Sequence, residues 1–201
     1  MNKRLVKTCV FLACIAPLGW LAFIGPEGWG ANPVETFNRF LGDWALRLLL
    51  ATLAVTPLAQ ITRQRGMVRF RRMLGLFAFF YACLHLASYV VFDQFFDINA
   101  IWQDVVKRKF ITVGMVCFMA LLPLAVTSAS RLRKAMSVRN WQRLHMTIYP
   151  IAIGVVVHNY MMVKANYREV LIHAAILTAL LSWRLAKRLS RPKTGDSPEP
   201  R

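Results

Sequence analysis

Acidic residues are scarce in this chain: nine Asp and Glu stand against 26 Lys and Arg in 201 residues. Charged residues of all kinds make up only 17%, while hydrophobic residues reach 57%, against about 25% and about 45–50% in ordinary soluble domains. That apolar content excludes disorder over most of the length, and a soluble globule would have to hide long apolar stretches in a small core. The sequence has no Walker-type phosphate loop, no dinucleotide-binding glycine pattern and no nucleophile elbow, so the functions that rest on those loops are excluded. Internal repeats are absent too. The four cysteines, Cys9, Cys14, Cys83 and Cys117, form no C-x-x-C pair and fall in apolar runs, where a thiol packs as a small apolar side chain.

What the sequence does have is a sorting of charge. Residues 8–26, 48–62, 73–92, 110–130, 144–163 and 170–183 contain no Asp, Glu, Lys or Arg. A helix crosses a bilayer with about 20 mostly apolar residues. Four of the runs meet that length. The second and sixth reach it by taking in residues 44–46 and 185–189, with Arg47, Arg184, Lys187 and Arg188 snorkelling to the headgroups. The expected fold is therefore an all-α integral membrane protein. It is a bundle of six transmembrane helices spanning about 8–26, 44–62, 73–92, 110–130, 144–163 and 170–189 within one domain, residues 1–190. The first run follows Lys3, Arg4 and Lys7 as a secretory signal would, but continues past any cleavage site and reads as a retained helix. Residues 191–201, with three prolines, read as a disordered cytoplasmic tail.

The net charge of +17 would suggest nucleic acid on a soluble protein. Here 19 of the 26 basic residues fall on alternate loops and the two ends, and seven of the nine acids on the other loops. The positive-inside rule then puts both termini in the cytoplasm of a multi-pass inner-membrane protein that contacts lipid and no nucleic acid. The longest outer loop carries Asn32-Pro33-Val34-Glu35, a good helix start. Val34, Phe37, Phe40, Leu41 and Trp44 follow at helical spacing, which predicts a short interfacial helix leading into the second span.

The chemistry rests on four histidines, His85, His145, His158 and His173, all within the spans. Ionisable groups inside a membrane are costly and mark function. His85 lies seven residues before Phe92 and His158 five before Val163, on two helices running outward, so their depths differ by only about 3 Å. Two imidazoles at one depth suit the two faces of a planar macrocycle, a bis-histidine b-type haem. Ala78, Ala82 and Ser88 around His85, and Gly154 one turn before His158, would leave room for the ring. His145 sits 13 residues, or about 20 Å, further in. The third helix offers Arg72 rather than a histidine at that depth. His145 would therefore hold a second haem with a weaker or absent partner, or a flavin or quinone. His173 is a candidate alternate ligand or a structural group. Arg71, Arg72, Arg139 and Arg143 cluster at the inner depth, where propionates, a flavin phosphate or anionic lipid would pair with them.

The run Arg71-Arg72-Met73-Leu74-Gly75-Leu76, then Leu84-His85-Leu86-Ala87-Ser88-Tyr89, together with Trp141-Gln142-Arg143-Leu144-His145, Tyr149 and His158, resembles the third and fifth helices of the MsrQ (YedZ) family. Asn32-Pro33 and Thr52-Leu53-Ala54-Val55-Thr56-Pro57-Leu58 fit that family's first outer loop and second helix. More broadly the layout is similar to ferric-reductase-like transmembrane domains. The resemblance implies haem b, one or two, bound through His85, His158 and His145, and FMN besides. It implies an electron-transfer subunit rather than a self-sufficient enzyme. Electrons would come from the quinone pool or a cytoplasmic flavin reductase. They would leave to MsrP, a periplasmic molybdopterin methionine sulfoxide reductase that repairs oxidised proteins. A membrane cytochrome b with another acceptor, a non-redox anchor and a proton-coupled transporter remain as alternatives. The last is weakened because no span carries Asp or Glu in its interior.

Overall fold

A computed structural model of the chain describes residues 3–163 and 167–190. The 191–201 tail lies outside the described residues. The described residues fold into helices alone: α1 (Lys3–Ile24), α2 (Pro33–Ile61), α3 (Phe70–Ser88), α4 (Ile98–Lys107), α5 (Lys109–Val126), α6 (Ser130–Ala135), α7 (Val138–Met146), α8 (Ile148–Met162) and α9 (Arg168–Leu189). Five of them, α1, α2, α3 with its flanking turns, α5 and α9, are long and apolar enough to cross a membrane. The expected fifth span is instead divided. α7 ends at Met146, and a 15-residue α8 starts at Ile148. Pro150 has no N–H to donate to the Met146 carbonyl, so the ladder cannot run through this point.

α2 differs from expectation in the other direction. The interfacial helix and the second span form one 29-residue helix, capped where Asn32 Oδ1 accepts from the Glu35 N–H at 3.2 Å. At 1.5 Å per residue it is roughly 43 Å long, more than the hydrocarbon thickness. α2 packs along α3 and α5 along α8, while α2 also touches α8 and α9 and so ties the pairs together. Leu41, Leu46, Leu53 and Tyr81 are fully buried at these contacts. The Tyr81 hydroxyl donates to the Cys14 carbonyl at 2.8 Å and pins α1 to α3. Cys14 and Cys117 are buried, and all four thiols are free.

The second outer segment holds a helix that charge counting passes over. Phe95 and Phe96 both take positive φ, 46° and 62°, a region bulky residues seldom adopt. They turn the chain back after a π-type turn at Tyr89–Asp93. Asp97 caps α4 by accepting from the Ala100 N–H at 3.0 Å. One face of α4 exposes Ile98, Trp102 and Val106. The other is tied down through Asp104, which accepts from Tyr89 Oη at 3.1 Å and Gln94 Nε2 at 3.0 Å and pairs with Arg108 at 3.1 Å.

Candidate cofactor site

Each of the two matched histidines leans on the helix opposite it, and both do so in the same way. His85 Nδ1, on α3, lies 2.9 Å from the Asn38 carbonyl of α2. His158 Nδ1, on α8, lies 2.7 Å from the Phe110 carbonyl of α5. A carbonyl can only accept, so each Nδ1 carries the proton and each Nε2 keeps its lone pair. One turn after each carbonyl stands a glycine under the ring. A Cβ on Gly42 would come within 3.0 Å of the His85 ring, and one on Gly114 within 2.8 Å of the His158 ring. The unit is thus repeated in space: carbonyl at i, glycine at i+4, imidazole from the partner helix. Nothing in the linear sequence repeats, because each imidazole comes from a different helix than its carbonyl and glycine.

The two rings face one cavity of about 740 Å³, with centroids 6.3 Å apart and planes at 74°. An imidazole nitrogen sits about 2 Å from a metal it ligates, and about 1 Å from its own ring centre. Two imidazoles on opposite sides of one ion therefore have centroids about 6 Å apart. The observed pair fits that arrangement, and the deprotonated Nε2 atoms are the donors it needs. Among the described residues no group of three or more His, Cys, Asp or Glu could hold a metal ion, so a multidentate protein-only metal centre has no support. Ala78, Ala82, Leu49 and Phe118 give the cavity apolar walls, while Arg39, Asp43, Asp93, Gln94, Arg108 and Glu169 make its outer end polar.

Other expected residues take different places. Ser88 does not open space for a ring; buried, it donates to the His85 carbonyl at 2.8 Å and accepts from Asn38 Nδ2 at 2.7 Å, fixing α2 against α3. Gly154 faces α5 instead of the cavity: a Cβ there would lie 2.6 Å from Cys117 Sγ. His145 lies outside the cavity, with Nε2 3.1 Å from Thr127 Oγ1 and its ring stacked on Trp141 at 4.2 Å. His173 is buried beside α2, outside the cavity lining, and its Nδ1 has no hydrogen-bond partner among the described residues. Arg184 does not snorkel. It donates to Tyr149 Oη at 2.7 Å and to the Leu53 carbonyl at 2.6 Å.

Sequence reasoning missed Asn38, Gly42, Asp43 and Gly114. Asp43 lies within α2, next to the expected start of the second span at residue 44, and accepts from Asn159 Nδ2 at 3.3 Å. A signal for Gly114 was present, as a glycine in an uninterrupted apolar run, although its partner was not legible.

Residues 41–156 match the family of ferric reductase-like transmembrane components. The chain is 50% identical over 92% of its length to a protein-methionine-sulfoxide reductase heme-binding subunit, MsrQ, of Caulobacter vibrioides, covering 89% of that protein. It is 48% identical over 98% of its length to the MsrQ subunit of Rhodospirillum rubrum, covering 95% of that protein. With the MsrQ subunit of Xanthomonas campestris pv. campestris it shares 47% identity over 94% of its length, covering 89% of that protein.

Proposed function

The chain belongs to the ferric reductase-like transmembrane family and to the MsrQ heme-binding subunits of methionine sulfoxide reductase, and we propose that it is a b-type haem relay carrying electrons outward through the inner membrane. The observation that supports this reading is the His85–His158 pair facing across one cavity with both Nε2 atoms free. When bound, haem would supply a one-electron couple whose potential the His85 and His158 imidazoles and the dry walls would set. The residues of the chain do the rest. His85 and His158 would hold the iron, the Asn38 and Phe110 carbonyls fix their tautomer, and Gly42 and Gly114 let the rings approach α2 and α5 closely. Arg39 and Arg108, at the polar outer end, would hold the carboxylates of the group. His145 marks a second, inner site for a haem or a flavin. The acceptor is MsrP at the periplasmic face, and the donor is the quinone pool or a cytoplasmic flavin reductase. Methionine sulfoxide is reduced on the partner.

The visible spectrum of the full-length protein, purified from haem-supplied cells, tests the relay. The expected result is a Soret band with sharp low-spin bands on reduction. A colourless protein with intact helical content would remove the haem reading and favour an anchor or transporter.

The same reading needs six crossings with both termini inside. α8 with the last turn of α7 makes the fifth, and α1, α2, α3, α5 and α9 the others. Reporter fusions after Arg65 and Lys134 should report the cytoplasm, and fusions after Glu35 and Asn99 the periplasm. The reverse pattern would place the cavity and its polar end on the wrong side for a periplasmic acceptor.

A further inference from the structure

At the end of the bundle opposite the polar mouth, two arginines are drawn inward without an acid to meet them. Arg184 of α9 reaches across to α8 and α2, with its Cζ 5.1 Å from the Tyr149 ring. Its Nε is buried and has no hydrogen-bond partner among the described residues. Arg71 of α3 is half-buried and lies within electrostatic reach of Arg184, Tyr149 and His145. Two like charges held together in an apolar bundle repel, and breaking even from their desolvation requires an opposite charge. The described chain does not supply one. Residues 44–92, 105–168 and 170–190 contain no Asp or Glu, and neither arginine has an ion pair among the described residues.

The backbone adds to the same field. Arg71 and Tyr149 each stand at the second position of a helix, α3 and α8. The N-terminal ends of α3 and α8 therefore lie at this end of the bundle, and their dipoles add positive potential there. A guanidinium with a free Nε edge, a second guanidinium, a phenol and two helix N-termini make a receptor for a compact anion with several acceptor oxygens.

We propose that Arg71, Arg184 and Tyr149 form a binding site for a phosphate group at the inner end of the bundle. The phosphate is supplied by an anionic phospholipid headgroup or by a soluble phosphate compound. It neutralises Arg71 of α3 and Arg184 of α9 and links them beside Tyr149 of α8. The site is separate from the His85–His158 cavity, whose lining includes none of these three residues, and it does not depend on haem.

The full chain, purified in neutral detergent, is examined by native mass spectrometry and thermal unfolding with two probes, phosphatidylglycerol and inorganic phosphate, and with chloride at matched ionic strength. Phosphatidylglycerol should be retained through delipidation and raise the unfolding temperature. Arg71→Gln and Arg184→Gln should each lower that retention at least 10-fold, the order expected for loss of one charge-assisted hydrogen bond. Arg188→Gln, on the exposed side of α9, should not. If inorganic phosphate alone protects the parent protein and not the two variants, the site stands and its source is soluble. Equal response of parent and variants, response to chloride as strong as to either probe, or no response to either probe overturns the proposal. Should Arg184→Gln fail to fold, Arg71→Gln carries the same comparison. A protein carrying Asp196→Asn and Glu199→Gln must keep its response; loss there would make those carboxylates the counter-ion and overturn the phosphate site.

Discussion

Alanine at His85 or at His158 is expected to abolish the same low-spin haem signal. The Nδ1 protons are engaged by carbonyls of two different helices, and in the proposed reading both Nε2 atoms would ligate one iron. Truncating either would leave that iron one protein ligand. The signal should become high-spin, and bound haem should fall on the order of 10-fold or more, because even orienting partners of a ligand cost 10–100-fold in affinity. The two variants should resemble each other, which distinguishes a shared ion from two independent sites. His145→Ala should leave that signal in place, since His145 hydrogen-bonds Thr127 and stacks on Trp141 outside the cavity. It should instead slow reduction from the cytoplasmic side. His173→Ala should also leave the signal in place, as this side chain packs beside α2 away from the lining. Haem content per polypeptide and the reduced spectrum, read with helical content by circular dichroism, check all four. Loss of the low-spin signal in His145→Ala with its survival in His158→Ala would require a different pairing.

The parts of this molecule legible in the sequence are those that one helix determines alone. Charge-free runs mark α1, α2, α3, α5 and α9 because a lipid-facing helix excludes charge along its whole length. Counting residues from the ends of those runs brought His85 and His158 to one depth, since rise per residue is nearly constant. Where two elements together decide the outcome, the sequence was silent or misleading. Arg184 reads as a snorkelling residue because its helix ends in Lys187 and Arg188. Only the presence of Tyr149 and the Leu53 carbonyl turns it inward. Gly154 reads as space for a ring, whereas the structure uses it to admit Cys117 of α5. Pro150 reads from the sequence as a kink in the fifth span, but not as the full break at Thr147 that divides α7 from α8. α4 was missed because its exposed face of Ile98, Trp102 and Val106 alternates with Asp104 and Lys107, which looks like a loop to a count of charges.

Glycine substitutions around the two rings should produce a graded loss of haem that follows the space each ring leaves. A methyl group on Gly114 would lie 2.8 Å from His158 Cε1 and 3.0 Å from its Nδ1. Contacts that short are not tolerated, so either the ring swings off the Phe110 carbonyl or α5 and α8 separate. Overpacking of this kind costs about 1–3 kcal/mol, and here it falls on the orientation of a ligand. Gly114→Ala is therefore expected to lower haem retention by about 10–100-fold, with Gly114→Val more severe. Gly42→Ala meets the His85 ring at 3.0 and 3.1 Å and should be milder, a shifted spectrum with partial occupancy. Gly66→Ala meets nothing within 4 Å and should be silent. Gly154→Ala separates packing from ligation. Its clash is with Cys117 Sγ at 2.6 Å, so the variant should lower the unfolding temperature while folded molecules still bind haem, and Cys117→Ala in the same chain should restore stability. Haem titration of the purified variants, paired with thermal unfolding, reads both quantities. Full haem binding by Gly114→Val would mean that the His158 ring is not held against α5 in the ligated protein, and that the second carbonyl–glycine cradle plays no part in positioning it.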